Sequence, residues 1–217
     1  MNPQAPLKLA VLGAGRGSAE LIDFLRESHP AAAISVLDDQ HPGGLRETDG
    51  YPVVGRLDAA RELAAAGSRL VLGIANSRQL GIRGEIAARL ALPDGAWLSY
   101  VHPTATLSAR ASVGPGCVVY PGARIAANAR LERVALVYYN AVVHHDAVLG
   151  EGAVLCAGVL LAGGSVVEEG AYLGIGSVVR EGVRVGRRAL VGMGAVVTHD
   201  VPAGSRVAGV PARPLGR

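Results

Sequence analysis

Three side chains that can move or orient protons stand side by side at His144, His145 and Asp146. They interrupt a stretch of small and aliphatic residues, NAVVHHDAVLGEGAVL. Imidazole titrates near neutrality, so a histidine here could take a proton from an attacking nucleophile. A neighbouring carboxylate could fix the tautomer of that imidazole and raise its basicity. The residue types leave two interpretations open: a general base with its carboxylate partner, or surface histidines without a role.

The residues around this triplet follow a period of six. Every sixth residue from Val101 to Val197 is Val, Leu or Ile, and the position four further on is small, from Ala105 to Val201. The period predicts a β-solenoid in which each unit supplies a short strand and a corner, and three units close one triangular coil. The register runs without a break from 101 to 201, so we expect no extruded loop, and Pro202, Pro211 and Pro214 to end the coil.

The solenoid places the triplet on the outside. Val143 takes the inward aliphatic position and Ala147 the small corner position. The three polar residues between them are therefore expected at or near the outer surface. A β-sandwich would instead alternate with a period of two and irregular spacing, which this sequence does not show.

The residues before Val101 alternate predicted strands and helices. The strands are LKLAVLGAG, AAISVLDD and RLVLGIANS; the helices are SAELIDFLRE, DAARELAAAG and IRGEIAARLAL. This alternation predicts a parallel α/β sheet of Rossmann-like type. We therefore expect two domains, residues 1–98 and residues 99–217, the second being the solenoid with a C-terminal tail.

Two features of the first domain could bind a ligand. The turn GAGRGSAE follows a strand and opens a helix, a place that favours phosphate, but Ser18 replaces the third glycine of the dinucleotide fingerprint. This argues against NAD and favours a nucleotide-linked ligand, with a purely structural turn as the alternative. Asp38 and Asp39 close the second strand, where carboxylates could accept hydrogen bonds from a ribose or base, or simply lie in a solvated turn.

Composition limits the classes of function. The formal net charge of +3 is too small to indicate a nucleic-acid partner. Cys117 and Cys156 have neither metal-ligand spacing nor a disulfide framework, so no metal is expected. The sequence shows no secretory leader and no apolar run long enough to span a membrane, which predicts a soluble cytoplasmic protein without a membrane partner.

Over essentially its full length the chain resembles the nucleotide-sugar acetyltransferases of the PglD/NeuD type. The resemblance rests on LAVLGAGRGSAELIDFL, VLDD, VHPTA, VVHHDAVLGEGAVL, YLGIGSVV and VGMGAVVTHDVPAGSRVAGVPAR. It implies a Rossmann-like sugar-nucleotide-binding domain followed by a left-handed parallel β-helix. It also implies acetyl-CoA as the donor, an amino or hydroxyl group of a sugar as the acceptor, and a homotrimer.

The same resemblance assigns roles to residues. It makes His145 the general base, Asp146 its polarising partner and the Gly163 amide, one coil further on, the donor to the oxyanion. The residues implied in CoA binding are Val154, Gly174, Ile175, Gly176 and Met193. Those implied in binding the sugar substrate are Gly15, Arg16, Gly17, Asp38, Asp39, Gly73 and Asn76.

Three positions depart from the family pattern. The glycine-rich turn carries Arg16-Gly17 where the family usually has Gly-His, and Val154 stands where a histidine often contacts the donor. The asparagine-rich turn after the third strand is only partly kept, as GIANS. These departures leave the identity of the sugar open.

Three alternative functions share the solenoid. One is O-acetylation of a free sugar such as sialic acid, and another is a non-catalytic scaffold with a degenerate site. A third is a γ-type carbonic anhydrase, which needs three histidines on zinc from neighbouring chains. No second histidine follows His145 at short spacing, so the sequence gives this last alternative little support.

Overall fold

The structure, a computed structural model, describes residues 6–40, 47–48 and 50–215, which fall into two compact units. The first unit holds the chain up to Ala75 together with Ala87–Leu98, and the second holds Asn76–Ile86 and the chain from Ser99 onward. The segment 76–86 therefore groups with the second unit, although the sequence pattern predicts it in the first domain.

The first unit is built on a five-stranded sheet. Its elements are β1 (Lys8–Leu12), α1 (Arg16–Ser28), β2 (Ala33–Leu37), β3 (Glu47–Thr48), β4 (Tyr51–Gly55), a 3₁₀ turn (Leu57–Ala59), α2 (Ala60–Ala65), β5 (Arg69–Leu72), the end of α3 (Ile82–Leu90) and a second 3₁₀ turn (Asp94–Ala96). The strand order is β3-β4-β2-β1-β5, and all pairs are parallel except β3 with β4. The predicted parallel sheet is confirmed, but β3 and β4 were not predicted.

The core of this unit follows from its sequence pattern. Strands β1 and β5 each contain a continuous apolar run, and the residues of these runs, Leu9–Leu12 and Leu70–Leu72, are fully buried. Helix α1 turns Leu21, Ile22 and Leu25 to the same side, as the helical spacing predicts, and all three are buried.

The second unit is a parallel β-helix with three faces. We call first face the sheet of β7 (Thr106–Leu107), β10 (Arg124–Ile125), β13 (Val142–Val143), β16 (Leu160–Leu161), β19 (Val178–Val179) and β22 (Val196–Val197). The second face holds β8 (Ser112–Val113), β11 (Arg130–Leu131), β14 (Val148–Leu149), β17 (Val166–Val167) and β20 (Arg184–Val185). The third face holds β6 (Tyr100–Val101), β9 (Val118–Val119), β12 (Leu136–Val137), β15 (Val154–Leu155), β18 (Tyr172–Leu173), β21 (Leu190–Val191), β23 (Arg206–Ala208) and the antiparallel β24 (Arg213–Pro214).

Successive coils stack in a fixed register of 18 residues, so that Val143 pairs with Leu161 and Leu161 with Val179. The inward aliphatic positions from Val119 to Val197 are all buried, as the period of six predicts. Leu107, in the first coil, is 36% exposed because no earlier coil covers it.

Each coil turns at three corners, which we name first, second and third after the face whose strand they follow. The third residue after each inward aliphatic one usually has a left-handed backbone, and in most coils it is glycine. At the first corner this residue is Asn128 in one coil, with φ of 60°, Asp146 in the next, with φ of 59°, and Gly164 in the one after. These three residues therefore occupy equivalent positions in successive coils and lie one beside the next.

The last coil breaks the register. The period of six predicts Val201 at a small corner position, but Val201 instead pairs with Val185 and is 5% exposed. The following inward residue is Val207, paired with Val191. The expectation of an unbroken register to 201 was therefore wrong, since the final turn is two residues shorter than the others and Val201 fills the inward position.

A short strap, residues 76–86, packs against the second corner of the β-helix. Gly152 and Gly170 lie so close to it that a Cβ on either would approach the backbone of Gly84 or Gly81 to 2.7 Å. The fully buried Arg83 donates from Nε to the Val134 carbonyl at 2.6 Å, and burial lowers the pKa of its guanidinium to about 10. Gly81 and Arg83 of the strap are therefore packed into the second unit.

Candidate active site

The first corner brings His145 and Asp146 together. The imidazole Nδ1 lies 2.8 Å from Asp146 Oδ2, and both side chains are 56% exposed, as predicted. An ionised carboxylate only accepts hydrogen bonds, so Nδ1 must carry the proton, and Nε2 is left with a lone pair. The hydrogen bond from His145, reinforced by one from Asn128, lowers the pKa of the Asp146 carboxyl, which therefore stays ionised at neutral pH.

The other edge of the His145 ring lies over Gly163. A Cβ on Gly163 would approach His145 Cε1 to 2.6 Å and Nε2 to 2.7 Å, so a larger residue at 163 would displace the ring from this position. The φ of Gly163 is not left-handed, so this glycine matters for the space beneath the ring and not for the backbone conformation. Within the described part of the chain, the Gly163 amide donates no hydrogen bond. The 18-residue spacing thus places an imidazole nitrogen and an available N–H side by side.

His144 differs from His145 in its contacts. Its ring lies 4.6 Å from that of His145 at an interplanar angle of 61°. Among the described residues, its side chain makes no hydrogen bond. His144 therefore has no carboxylate to set its tautomer, and the geometry favours His145 as the base.

A second His-Asp doublet, His199 and Asp200, occupies the equivalent sequence position three repeats of the coil later. Here the imidazole Nδ1 contacts Thr198 Oγ1 at 3.0 Å, and Asp200 Oδ1 accepts the Arg184 amide at 2.8 Å. No hydrogen bond joins the two side chains in the described structure. The doublet alone therefore does not produce the imidazole–carboxylate pair, which depends on the local side-chain arrangement at 145 and 146.

The residues predicted to bind CoA lie on the third face and third corner. Ile175 and Met193 are 56% and 75% exposed on successive coils, and the amides of both donate no hydrogen bond within the described residues. Gly174 packs against the Met193 amide, where a Cβ would come within 2.7 Å, and Gly176 is exposed with a left-handed backbone. The Val154 side chain is only 4% exposed, so it offers a ligand little surface.

In the first unit, the predicted glycine turn stands at the start of α1. Gly15 is the N-cap of this helix without any side-chain cap, and Gly15 and Arg16 are exposed while Gly17 is half-buried. In the part of the chain that the structure describes, the Arg16 guanidinium has no partner. Ser18 is buried and packs against Gly73, where a Cβ would lie 2.4 Å from its Oγ. The turn thus offers amides and a cation to an anion.

The two carboxylates after β2 are engaged with the protein itself. Asp38 accepts the amides of Ala14 and Gln40 at 2.8 and 2.7 Å. Asp39 accepts the Leu57 amide and the Arg89 guanidinium, and these contacts lower the pKa of its carboxyl although burial opposes the shift. Both residues therefore hold loops in place, and Asp38 does so for the glycine turn.

Asn76, also predicted to bind substrate, belongs to the second unit. Its Oδ1 accepts the Arg78 amide at 2.8 Å, and the residue is exposed. The structure thus assigns Asn76 and Gly73 to different units, although they are three residues apart in the sequence.

The described residues lack two further kinds of feature. No group of three His, Cys, Asp or Glu side chains there has an arrangement that could hold a metal ion. No helix in the same residues is both long and apolar enough to cross a membrane.

Comparison with known proteins identifies the fold and the family. The family described as Bacterial transferase hexapeptide (six repeats) matches residues 164–199, while no curated protein sequence matches the chain. A histidine-to-asparagine variant of perosamine N-acetyltransferase from Caulobacter crescentus, in complex with CoA and GDP-perosamine, has a TM-score of 0.86 at 30% identity over 97% of both chains. The acetyltransferase domain of PglB from Neisseria gonorrhoeae, in complex with acetyl coenzyme A, has a TM-score of 0.81 at 32% identity over 97% of this chain and 100% of the other.

The parallel β-helix and the hexapeptide match together define a hexapeptide-repeat transferase with the left-handed β-helix of that class. With full-length similarity to these two structures, the chain belongs to the family of nucleotide-sugar acetyltransferases, as the sequence resemblance predicted. WeeI from Acinetobacter baumannii shares the fold at 24% identity and a TM-score of 0.72, over 96% of this chain and 100% of the other.

The contrast between the two histidines gives a direct test. Replacing His145 with alanine should lower kcat by about 10²- to 10⁴-fold, the usual contribution of a positioned acid–base group. The matched control is His144→Ala, which removes a neighbouring exposed imidazole without a carboxylate partner and should lower kcat far less. Steady-state kinetics would measure both, and equal losses would contradict the assignment of the base to His145.

Proposed function

We propose that the protein transfers the acetyl group of acetyl-CoA to the amino group of a nucleotide-linked amino sugar. The observation that carries this proposal is the His145 ring, held at Nδ1 by Asp146 and lying with Nε2 over the bare backbone of Gly163. Family membership supplies the donor and the acceptor class, since one relative was crystallised with CoA and GDP-perosamine and another with acetyl coenzyme A.

The chemistry follows from these groups. The sugar amine attacks the thioester carbonyl, a C–N bond forms, and the His145 Nε2 lone pair takes the proton that the nitrogen loses. The carbonyl oxygen becomes an oxyanion, which the Gly163 amide stabilises by a hydrogen bond. The C–S bond then breaks, and the departing CoA thiolate receives the proton from His145. The products are the N-acetylated sugar and free CoA, and Asp146 stabilises the imidazolium that exists in between.

We assign the two substrates to different parts of the chain. The β-helix domain, residues 99–217, would bind acetyl-CoA, with its arm along the exposed third-corner residues Ile175 and Met193. The Rossmann-like domain, residues 1–98, would bind the nucleotide, with the diphosphate at the N-terminus of α1 beside Arg16. We also infer a cytoplasmic location, which the free thiols of Cys117 and Cys156 support.

The proposal is tested by a substrate screen with acetyl-CoA and a thiol-release assay. With GDP-, UDP- and dTDP-linked amino sugars as acceptors, the enzyme should release CoA at a rate well above that of acetyl-CoA hydrolysis. Mass spectrometry should find one added acetyl group per sugar. The His145→Ala protein, prepared in parallel, is the control for contaminating activity. Acetylation of free sialic acid, with no reaction of any nucleotide sugar, would replace the proposal by the alternative O-acetyltransferase function.

A second measurement tests whether the two substrates bind to different domains. Arg16→Ala should raise the KM for the nucleotide sugar by roughly tenfold, because it removes a charge-assisted hydrogen bond to phosphate, and should leave the KM for acetyl-CoA unchanged. Lys8→Ala removes another exposed cation, at the opposite end of β1, and should change neither constant. A parallel rise in both Michaelis constants would refute the assignment of the nucleotide to the glycine turn.

We further propose that the active form is a homotrimer. The outer side of the first face carries Val142, Leu160, Val178 and Val196 on successive coils, and Leu160 is 43% exposed. This flat apolar surface borders the first corner, where the single chain leaves His145 more than half exposed. A neighbouring chain would cover both and wall the site off from water.

Light scattering should therefore give about three times the 22.1 kDa chain mass. Leu160→Asp, which places a charge in the proposed interface, should dissociate the assembly and reduce activity together. A stable monomer with full turnover would rule out the trimer as the active form.

A further inference from the structure

We propose that Asn128 is a positioning residue that fixes the orientation of Asp146 and, through it, the tautomer of His145. Its Nδ2 donates to Asp146 Oδ1 at 2.9 Å, while Asp146 Oδ2 faces His145 Nδ1 at 2.8 Å. Each carboxylate oxygen thus has one side-chain partner, and the plane of the carboxylate is set from two sides. This inference rests on the role of His145 in the proposed function.

The position of Asn128 in the fold supports this role. Asn128 and Asp146 stand one coil apart at the same first-corner position, where both adopt a left-handed backbone. Glycine is the residue that takes this conformation without strain, and it does so at Gly164 in the next coil. Two polar residues therefore replace glycine in consecutive coils, and they are the two that hydrogen-bond to each other.

The charges around the pair are few. His144 contacts the His145 ring from the same corner, and Arg110, from an earlier coil, favours the ionised form of Asp146. The following coil presents Gly163, which carries no charge. Asn128 thus donates a hydrogen bond to the Asp146 carboxylate without adding a positive charge, so the negative charge of the carboxylate stays available to the His145 imidazolium.

A carboxylate that lost this second partner could rotate about its χ angles, and His145 could then also populate the tautomer with the proton on Nε2. That tautomer cannot accept a proton from the amine at the site over Gly163. The geometry predicts a lower kcat with unchanged substrate binding, because neither Asn128 nor Asp146 is assigned to the binding of the nucleotide of CoA or of the sugar substrate.

The test uses a pair of matched substitutions. Asn128→Gly keeps the left-handed backbone and removes only the side chain; Asn140→Gly makes the same change at the third corner, where φ is 55°. Asn128→Gly should lower kcat roughly three- to tenfold at unchanged KM for acetyl-CoA. Asn140→Gly should leave kcat within twofold of the parent value, and both should fold, since glycine suits each position.

A charge substitution tests whether residue 128 lies close enough to Asp146 and His145 to act on the pair, which the proposed positioning role requires. Asn128→Asp adds a carboxylate next to Asp146, which stabilises the imidazolium of His145, so the acid limb of the kcat/KM profile should shift to higher pH. Asn140→Asp adds the same charge at the other corner and should leave this limb in place. An unshifted limb in Asn128→Asp would overturn the proposal.

The tautomer itself is measured without substrate by ¹⁵N NMR of the imidazole. The parent protein should show His145 with Nδ1 protonated, and Asn128→Gly should show a mixture of tautomers, while Asn140→Gly retains the parent pattern. A parent-like tautomer in Asn128→Gly would refute the positioning role even if the enzyme acetylates nucleotide sugars. Conversely, a mixed tautomer in a protein that acetylates no tested sugar would leave the positioning role intact and count against the proposed function alone.

Discussion

The hydrogen bonds between successive coils hold the β-helix in a register of 18 residues, and the functional geometry depends on this constraint. A residue in one coil lies beside the residue 18 positions later, whatever their chemistry. The site is therefore assembled along a column at the first corner, with Asn128 beside Asp146 and His145 beside Gly163. The aliphatic interior supplies the stability of this column, because every inward side chain from Val119 to Val197 is buried. A solenoid of this kind can change the residues of one corner without disturbing its core.

The corners are also where the backbone carries strain. A left-handed conformation is unfavourable by roughly 1–2 kcal/mol for a residue with a Cβ, and less for Asn and Asp, whose short polar side chains tolerate it. Most coils avoid the strain with glycine. Asp146 and Asn128 adopt this conformation despite the strain, and Gly163 leaves the space in which the His145 ring lies. The candidate site thus combines two residues that tolerate a conformation suited to glycine with one glycine whose missing side chain lets the ring lie against the backbone.

The sequence predicts the repeating arrangement of inward residues well and the side-chain contacts between elements less well. A strict period of six identifies inward residues because each one meets the same surroundings, and the coil length then places Gly163 beside His145. Val201 escaped this logic, since valine suits both the inward and the corner position. The role of Asn128 was not predicted, because asparagine is an ordinary choice for a left-handed turn and only its spacing of 18 from Asp146 signals more. The engagement of Asp39 with Arg89 depends on tertiary packing, which no local pattern encodes.

The strap also limits how the two units of such a chain could be exchanged between proteins during evolution. The linker sequence around Leu98 and Ser99 resembles a natural point of recombination, at which one α/β unit could be joined to another β-helix. Yet the strap precedes this point in the sequence, while the residues that it contacts follow it. Arg83 is buried against the Val134 carbonyl, and the glycines that receive the strap belong to the same packed unit. A hybrid joined at the linker would combine a solenoid with a foreign strap, and Gly152 and Gly170 would have to match it. Evolution by module exchange therefore requires the strap to travel with its solenoid, or the strap and its two glycines to change together.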